Sequence, residues 1–161
     1  MNSPNNADLC PCGSNLTYAD CCEPVITGRQ VTQTPEHLMR SRYSAYAKQS
    51  YEYILNTYTD DTRPNVTSAV LAEQNQAVKW LKLAVLDASM TGESGEVSFQ
   101  AYYKERDHAY CLAERSRFSK ASGRWLYIDG EILPETGRLK VKRNDACVCG
   151  SGAKAKRCCF R

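Results

Sequence analysis

Eight of the nine cysteines in this 161-residue chain fall into two sets of four: Cys10, Cys12, Cys21 and Cys22, and then Cys147, Cys149, Cys158 and Cys159. Four thiolates complete the donor set of a tetrahedral ion, with sulfur about 2.3 Å from zinc and no position left for a substrate. The stretches CPCGSNLTYADCC and CVCGSGAKAKRCC align at a constant offset of 137, sharing the four cysteines, the glycine and the serine while the residues between them differ. What is repeated is therefore ligand spacing plus a turn: one module used twice. Cys10 and Cys12 can converge across a tight turn in which Pro11 fixes one dihedral, and Gly13 and Gly150 let the chain bend away. Neighbours on a helix point about 100° apart, so both members of each CC pair reach one ion only where the backbone bends. The pattern predicts two structural zinc ions, one per cluster, each adding folding free energy to a segment too short for a core of its own. Iron–sulfur ligation and a thiol-redox or metal-relay role use the same donors and stay open as alternatives.

Outside the clusters, groups able to do chemistry are few. His37 falls in the first turn of a predicted helix, where it reads as a solvated or capping residue, and His108 falls in a turn. Cys111 reads as a small buried hydrophobe. Arg40, Arg42 and Tyr43 share a helix and could line a pocket, with Asp129 in a turn before Gly130; Arg40, Tyr43 and Asp129 are the candidate pocket residues. Trp80, Trp125 and Tyr127 read as core. No Walker loop, HExxH or dinucleotide fingerprint is present, so no catalytic residue is assigned and the sequence points away from an enzyme. A small-molecule binder or enzyme using a core pocket is the second class of function.

These residues need a scaffold, and the composition supplies a globular one: 42% hydrophobic and 24% charged, near the soluble average. No apolar run approaches the roughly 20 residues of a membrane span, and MNSPNNADLC lacks the basic start and apolar stretch of a secretory signal. The expectation is a cytoplasmic protein with reduced thiols and no membrane partner. Three parts are expected: a module over 1–30, a core over 31–137 and a second module over 138–161. Charge divides unevenly among them. The first part carries Arg29 against Asp8, Asp20 and Glu23, whereas the last carries eight basic residues against Asp145 alone.

In the core, Thr34 is a predicted N-cap with Pro35 at the first helical position and Glu36 at the positive end of the dipole. A second helix is predicted over Tyr51 to Tyr58, and a third runs from a Ser68 cap toward Trp80. Four β-like runs follow, LKLAVLDASM, GEVSFQAYYKE, AYCLAERSRF and RWLYIDGEIL, joined by short turns. Short connections pair strands antiparallel. The fold class is thus α+β, with N-terminal helices packed on a curved antiparallel meander. Val97, Phe99, Ala101 and Tyr103 are expected to share one face, and Trp125, Tyr127 and Asp129 another.

CxCGS followed six residues later by CC resembles the SEC-C motif, the zinc-binding tail of the translocase motor SecA, where it implies binding to the chaperone SecB and to the ribosome. One copy at each end of a helix-then-meander core resembles the YchJ-like family. The likeness extends to LMRSRYSAY (38–46), TRP (62–64), ERSRF (114–118) and RWLYIDG (124–130), and implies a nuclear-transport-factor-two-like (NTF2-like) cone. The family carries no established biochemical function. Asn15 departs from the CGSG pattern in the first copy and Ala155 replaces a common aromatic in the second, where Tyr18 keeps it in the first. The resemblance implies a protein or ribosomal partner, assigned to the basic C-terminal module through Lys154, Lys156 and Arg157. An RNA contact is the weaker reading, since no aromatic platform interleaves with the charges.

Overall fold

The computed structural model describes residues 8–161. Four helices precede an antiparallel sheet: the three expected from the sequence and, before them, a one-turn helix that the sequence reading did not include. Helix α1 (Glu23–Ile26) follows the first cysteine cluster, α2 (Pro35–Ala47) packs on one sheet face, and α3 (Tyr51–Asn56) and α4 (Ser68–Gln74) pack beside it. The Thr34 side chain accepts the His37 backbone N–H at 3.1 Å, which satisfies an orphan donor of the first turn.

Helix α4, the one expected to run from Ser68 toward Trp80, is shorter than its sequence suggests. Its cap is Thr67, whose hydroxyl accepts from Val70 N, and it stops at Gln74. Trp80 instead lies in strand β1 (Val78–Thr91), half-buried with its ring against Tyr43, Tyr46 and Tyr103.

Strands β1, β2 (Ser94–Glu105), β3 (His108–Ala121) and β4 (Arg124–Ile132) pair in sequence order, and β5 (Gly137–Arg138) pairs with β3. Three register shifts bend the sheet. Trp80 faces Tyr103 while Lys82 faces Tyr102; Val85 faces Phe99 while Asp87 faces Ser98; Phe118 faces Tyr127 while Arg117 faces Asp129. Leu81, Leu86 and Ile128 are thus the extra residues of β-bulges, which add local bend and twist. The first bulge brings Trp80 onto the same face as Leu83 and Val85. The last turns Asp129 away from the face shared by Trp125 and Tyr127, correcting both the strict alternation and the turn expected there.

The main core joins Leu38, Met39 and Tyr43 of α2 to Leu83, Val97, Phe99, Ala101, Phe118 and Trp125 of the sheet. Each fully buried large side chain contributes about 1.5–3 kcal/mol. A second cluster, Ala45, Tyr51, Ile54, Leu55 and Leu71, holds α3 and α4 to α2. Between these helices the chain runs parallel to β4: Tyr127 N donates to Thr57 O at 2.7 Å and Thr59 N to Tyr127 O at 3.1 Å. That segment brings the Tyr58 ring edge-on to that of Tyr127, with centroids 5.3 Å apart.

Candidate functional site

The two cysteine modules share one construction. Cys10 N donates to Leu16 O and Cys147 N to Ala153 O, both at 2.8 Å. Gly13 and Gly150 both have φ of 82°, a conformation that favours glycine. Asn15 stands at φ 66° where the second copy has Gly152 at 84°; asparagine tolerates the left-handed region better than other side chains, so the departure from CGSG keeps the turn. Three-residue 3-10 helices, Tyr18–Asp20 and Ala155–Arg157, lead into the CC pairs.

The bend that the adjacent cysteines need is present. Cys21 has φ −123° and ψ −96°, and Cys158 has −128° and −115°, far from helical values. Both members of each pair thereby turn inward. The repeated serine also has a role: Ser14 Oγ lies 3.1 Å from Cys21 Sγ and accepts Leu16 N, while Ser151 Oγ lies 3.3 Å from Cys158 Sγ and accepts Ala153 N.

In each cluster the four sulfurs lie within 4.8 Å of one another. Resolved separations are 3.6 Å for Cys12–Cys21, 3.8 Å for Cys21–Cys22, 3.5 Å for Cys149–Cys158 and 3.9 Å for Cys158–Cys159. These are too long for disulfides, whose sulfurs sit about 2.0 Å apart. They match the edge of a tetrahedron with thiolates 2.3 Å from its centre, about 3.8 Å. The donor set therefore fits one metal ion per cluster. Without an ion, burial pushes the Cys21 thiol up to about 11 and holds Cys159 above its ordinary range; a coordinated cation would reverse this and keep the thiolates charged.

The modules differ in setting. Cys12 and Cys22 have 0% exposure and pack with Leu38, Met39 and Tyr43. Ser44 Oγ of α2 lies 3.3 Å from Cys10 Sγ, and Lys48 sits over the Tyr18 ring at 4.6 Å. Of the four cysteines of the C-terminal module only Cys147 is buried. It rests on the opposite sheet face, held by Lys104, which donates to Cys159 O at 2.7 Å and lies 5.3 Å from the Phe160 ring centre. A Cβ on Gly13 would come 3.6 Å from Leu83 O, and one on Gly150 would come 3.7 Å from Lys82 Cδ. Successive residues of β1 thus lie beside the two modules.

The chain matches the SEC-C motif over 7–24 and 143–161, and the YchJ middle NTF2-like domain over 34–130. It belongs to the YchJ family. Among the relatives of this YchJ-family chain, a UPF0225 protein of Vibrio vulnificus is 44% identical over 95% of this chain and 99% of its own, and one of Vibrio parahaemolyticus is 40% identical with the same coverage. The solution structure of a SEC-C motif containing protein from Rhodopseudomonas palustris has a TM-score of 0.72 and 38% identity, covering 77% of this chain and 98% of that one. A crystal structure of a SEC-C motif containing protein from Psychrobacter arcticus has a TM-score of 0.65 and 30% identity, covering 93% and 94%.

The YchJ-family core also has a cavity of about 300 Å³, open to solvent, between helices and sheet. Of the three pocket candidates, only Tyr43 lines it. Arg40 points instead to the N-terminal module, and Asp129 lies on the outer face, paired with Arg117 at 2.7 Å and 2.5 Å. That pairing holds the Asp129 carboxyl below its ordinary range. Sequence reasoning passed over Glu114 and gave Arg42 little weight. Glu114 shares its strand face with Ser116 and Phe118, so a carboxylate at an inward position of an alternating strand was the available signal.

Glu114 Oε1 accepts from Tyr127 OH at 2.6 Å and Ser116 Oγ at 3.0 Å. Burial and this carboxylate hold the Tyr127 phenol above its ordinary value, so it stays a donor. Gly130 makes the room: a Cβ there would overlap the Glu114 carboxylate. Arg42 is 6% exposed and donates through Nη1 to Ile54 O and Thr57 Oγ1, with its guanidinium 4.7 Å from the Tyr58 ring centre and 4.4 Å from that of Tyr127.

The remaining sequence candidates have structural settings. His37 Nδ1 accepts Gln33 N at 3.3 Å. Cys111 is buried on the outer sheet face where β5 pairs across from it, and burial raises its thiol. His108 lines a groove of about 550 Å³ beside the C-terminal module, with Arg138, Lys140, Lys142 and Arg143. Among the described residues, no helix is long and apolar enough to cross a membrane.

Proposed function

We propose that this is a cytosolic zinc protein in which both ions are structural and the C-terminal module docks a protein or ribosomal partner. Four thiols closing to tetrahedral spacing, with no carboxylate or histidine among them, favour zinc at a site without an open coordination position. The observation that carries the docking reading is the contrast between the modules. The N-terminal one is packed into the core. The C-terminal one exposes Lys154 and Arg157 beside the groove of Arg138, Lys140, Lys142 and Arg143, while its one acid, Asp145, accepts the Lys142 backbone N–H at 2.8 Å.

Elemental mass spectrometry on untagged protein should find two zinc ions per chain; iron, or less than one ion, overturns the zinc reading and favours thiol-redox chemistry. Co-sedimentation with purified ribosomes should be lost when Lys154, Lys156 and Arg157 are all changed to Glu. Steep weakening with salt indicates phosphate contacts. Co-sedimentation that survives the triple reversal overturns the docking surface. A second reading, small-molecule binding in the core, is favoured by the aromatic cavity.

A further inference from the structure

The cavity has a chemistry that the cysteine modules do not use. Its walls are aromatic: Tyr43, Tyr46 and Trp80 on one side, Tyr58 and Tyr127 on the other. Trp80 lines the cavity, and its indole nitrogen is the one buried side-chain polar atom without a hydrogen-bond partner among the described residues. A buried donor without an acceptor costs free energy that a suitable ligand returns. Opposite in kind is Glu114, 9% exposed, whose two bonds from Tyr127 and Ser116 both fall on Oε1 and leave Oε2 outside them.

Charge narrows the ligand class. Arg42 and Glu114 both line the cavity and do not form an ion pair among the described residues. Arg42 is committed to the wall by its bonds to Ile54 and Thr57 and by the two tyrosine rings. A ligand anion would therefore meet Glu114 as well as Arg42, and a ligand cation Arg42 as well as Glu114, so that attraction to one group is offset by repulsion from the other. Flat aromatic walls favour stacking on a planar molecule.

We propose that the core cavity binds a small neutral nitrogen heterocycle or cyclic amide, its carbonyl or ring nitrogen accepting from Trp80 Nε1 and its N–H donating to Glu114. A site built this way selects against the same ring lacking either group, because the buried partner is then left unpaired. This inference does not depend on the docking reading, since the cavity and the basic groove share no residue.

The test is NMR on the full metal-loaded chain, following the two tryptophan indole N–H resonances, with that of Trp80 assigned by its loss in Trp80→Phe. The probes are 2-pyridone, uracil and hypoxanthine, with benzoate and benzylammonium as charged counterparts. At least one neutral heterocycle should shift the Trp80 resonance saturably, and the charged rings should not. Binding should weaken about tenfold in Glu114→Gln, the expected loss of a hydrogen bond to a charged group. The Trp80→Phe chain, followed by ligand-observed saturation transfer, should lose a comparable factor. Failure of all three heterocycles to move the resonance at millimolar concentration overturns the proposal, as does equal binding of benzoate or binding unchanged in both variants.

Discussion

Arg40 reaches from α2 to donate a hydrogen bond of 2.7 Å to the backbone carbonyl of Cys12, while its Nε meets Glu36 at 3.2 Å. A side chain expected to line a pocket is thus a tie between the core and the first cysteine module. With 25% of the side chain exposed, the bond is partly shielded from water. Arg40→Met should cost about 1–3 kcal/mol, the usual range for a charged hydrogen bond. In a chelator competition, metal should leave the N-terminal cluster faster while the C-terminal one is unchanged. Urea unfolding and a two-phase metal-release assay check both parts.

The buried setting of the first cluster predicts an asymmetry between equivalent mutations. Cys12→Ser places a hydroxyl at 0% exposure among Leu38, Met39 and Tyr43, removing an ion and disturbing the core together. Cys149→Ser acts on a partly exposed module outside that core. The first should lower the melting temperature of the whole chain, whereas the second should release one ion with the core amide spectrum retained. Equal losses of core signals in the two variants would contradict this.

Gly130→Ala should destabilise by about 1–3 kcal/mol, the range for overpacking a filled site, because the added methyl overlaps the Glu114 carboxylate. The effect should shrink in a Glu114→Ala background. A double-mutant cycle by chemical denaturation measures the coupling.

His37 gives a pH dependence with a defined sign. Burial lowers its folded-state pKa from the ordinary 6.5, and its neutral Nδ1 accepts Gln33 N. Below pH 6.5 the unfolded chain takes up the proton before the folded one, so stability falls with decreasing pH until the folded value is passed. His37→Gln should flatten the difference in melting temperature between pH 7.5 and about pH 5.5 relative to wild type. Acid release of metal adds a slope common to both proteins, which the comparison cancels.

The division of labour between sequence and tertiary structure follows from the range of the forces. The paired CxCGS…CC modules, the Thr34 cap and the alternation of β2 were legible because ligand spacing, capping and strand period are local. Residues two to twelve positions apart set them, whatever the rest of the chain does. The end of α4, the side of the sheet that Trp80 and Asp129 occupy, and the roles of Arg40 and Glu114 were not legible. One extra residue in a strand reverses every side chain beyond it, and whether a bulge forms at Leu81 or Ile128 depends on the strand and helices packed alongside. Arg40 and Cys12 are joined only because α2 lies against the first module, and Glu114 tolerates burial only because Gly130, Ser116 and Tyr127 meet it from β3 and β4. The sequence by itself determined the two four-cysteine modules and the α+β order. Only the packing of helices on the bent sheet decided that one module is part of the core, that the other faces solvent, and that an aromatic cavity with a buried carboxylate lies between helices and sheet.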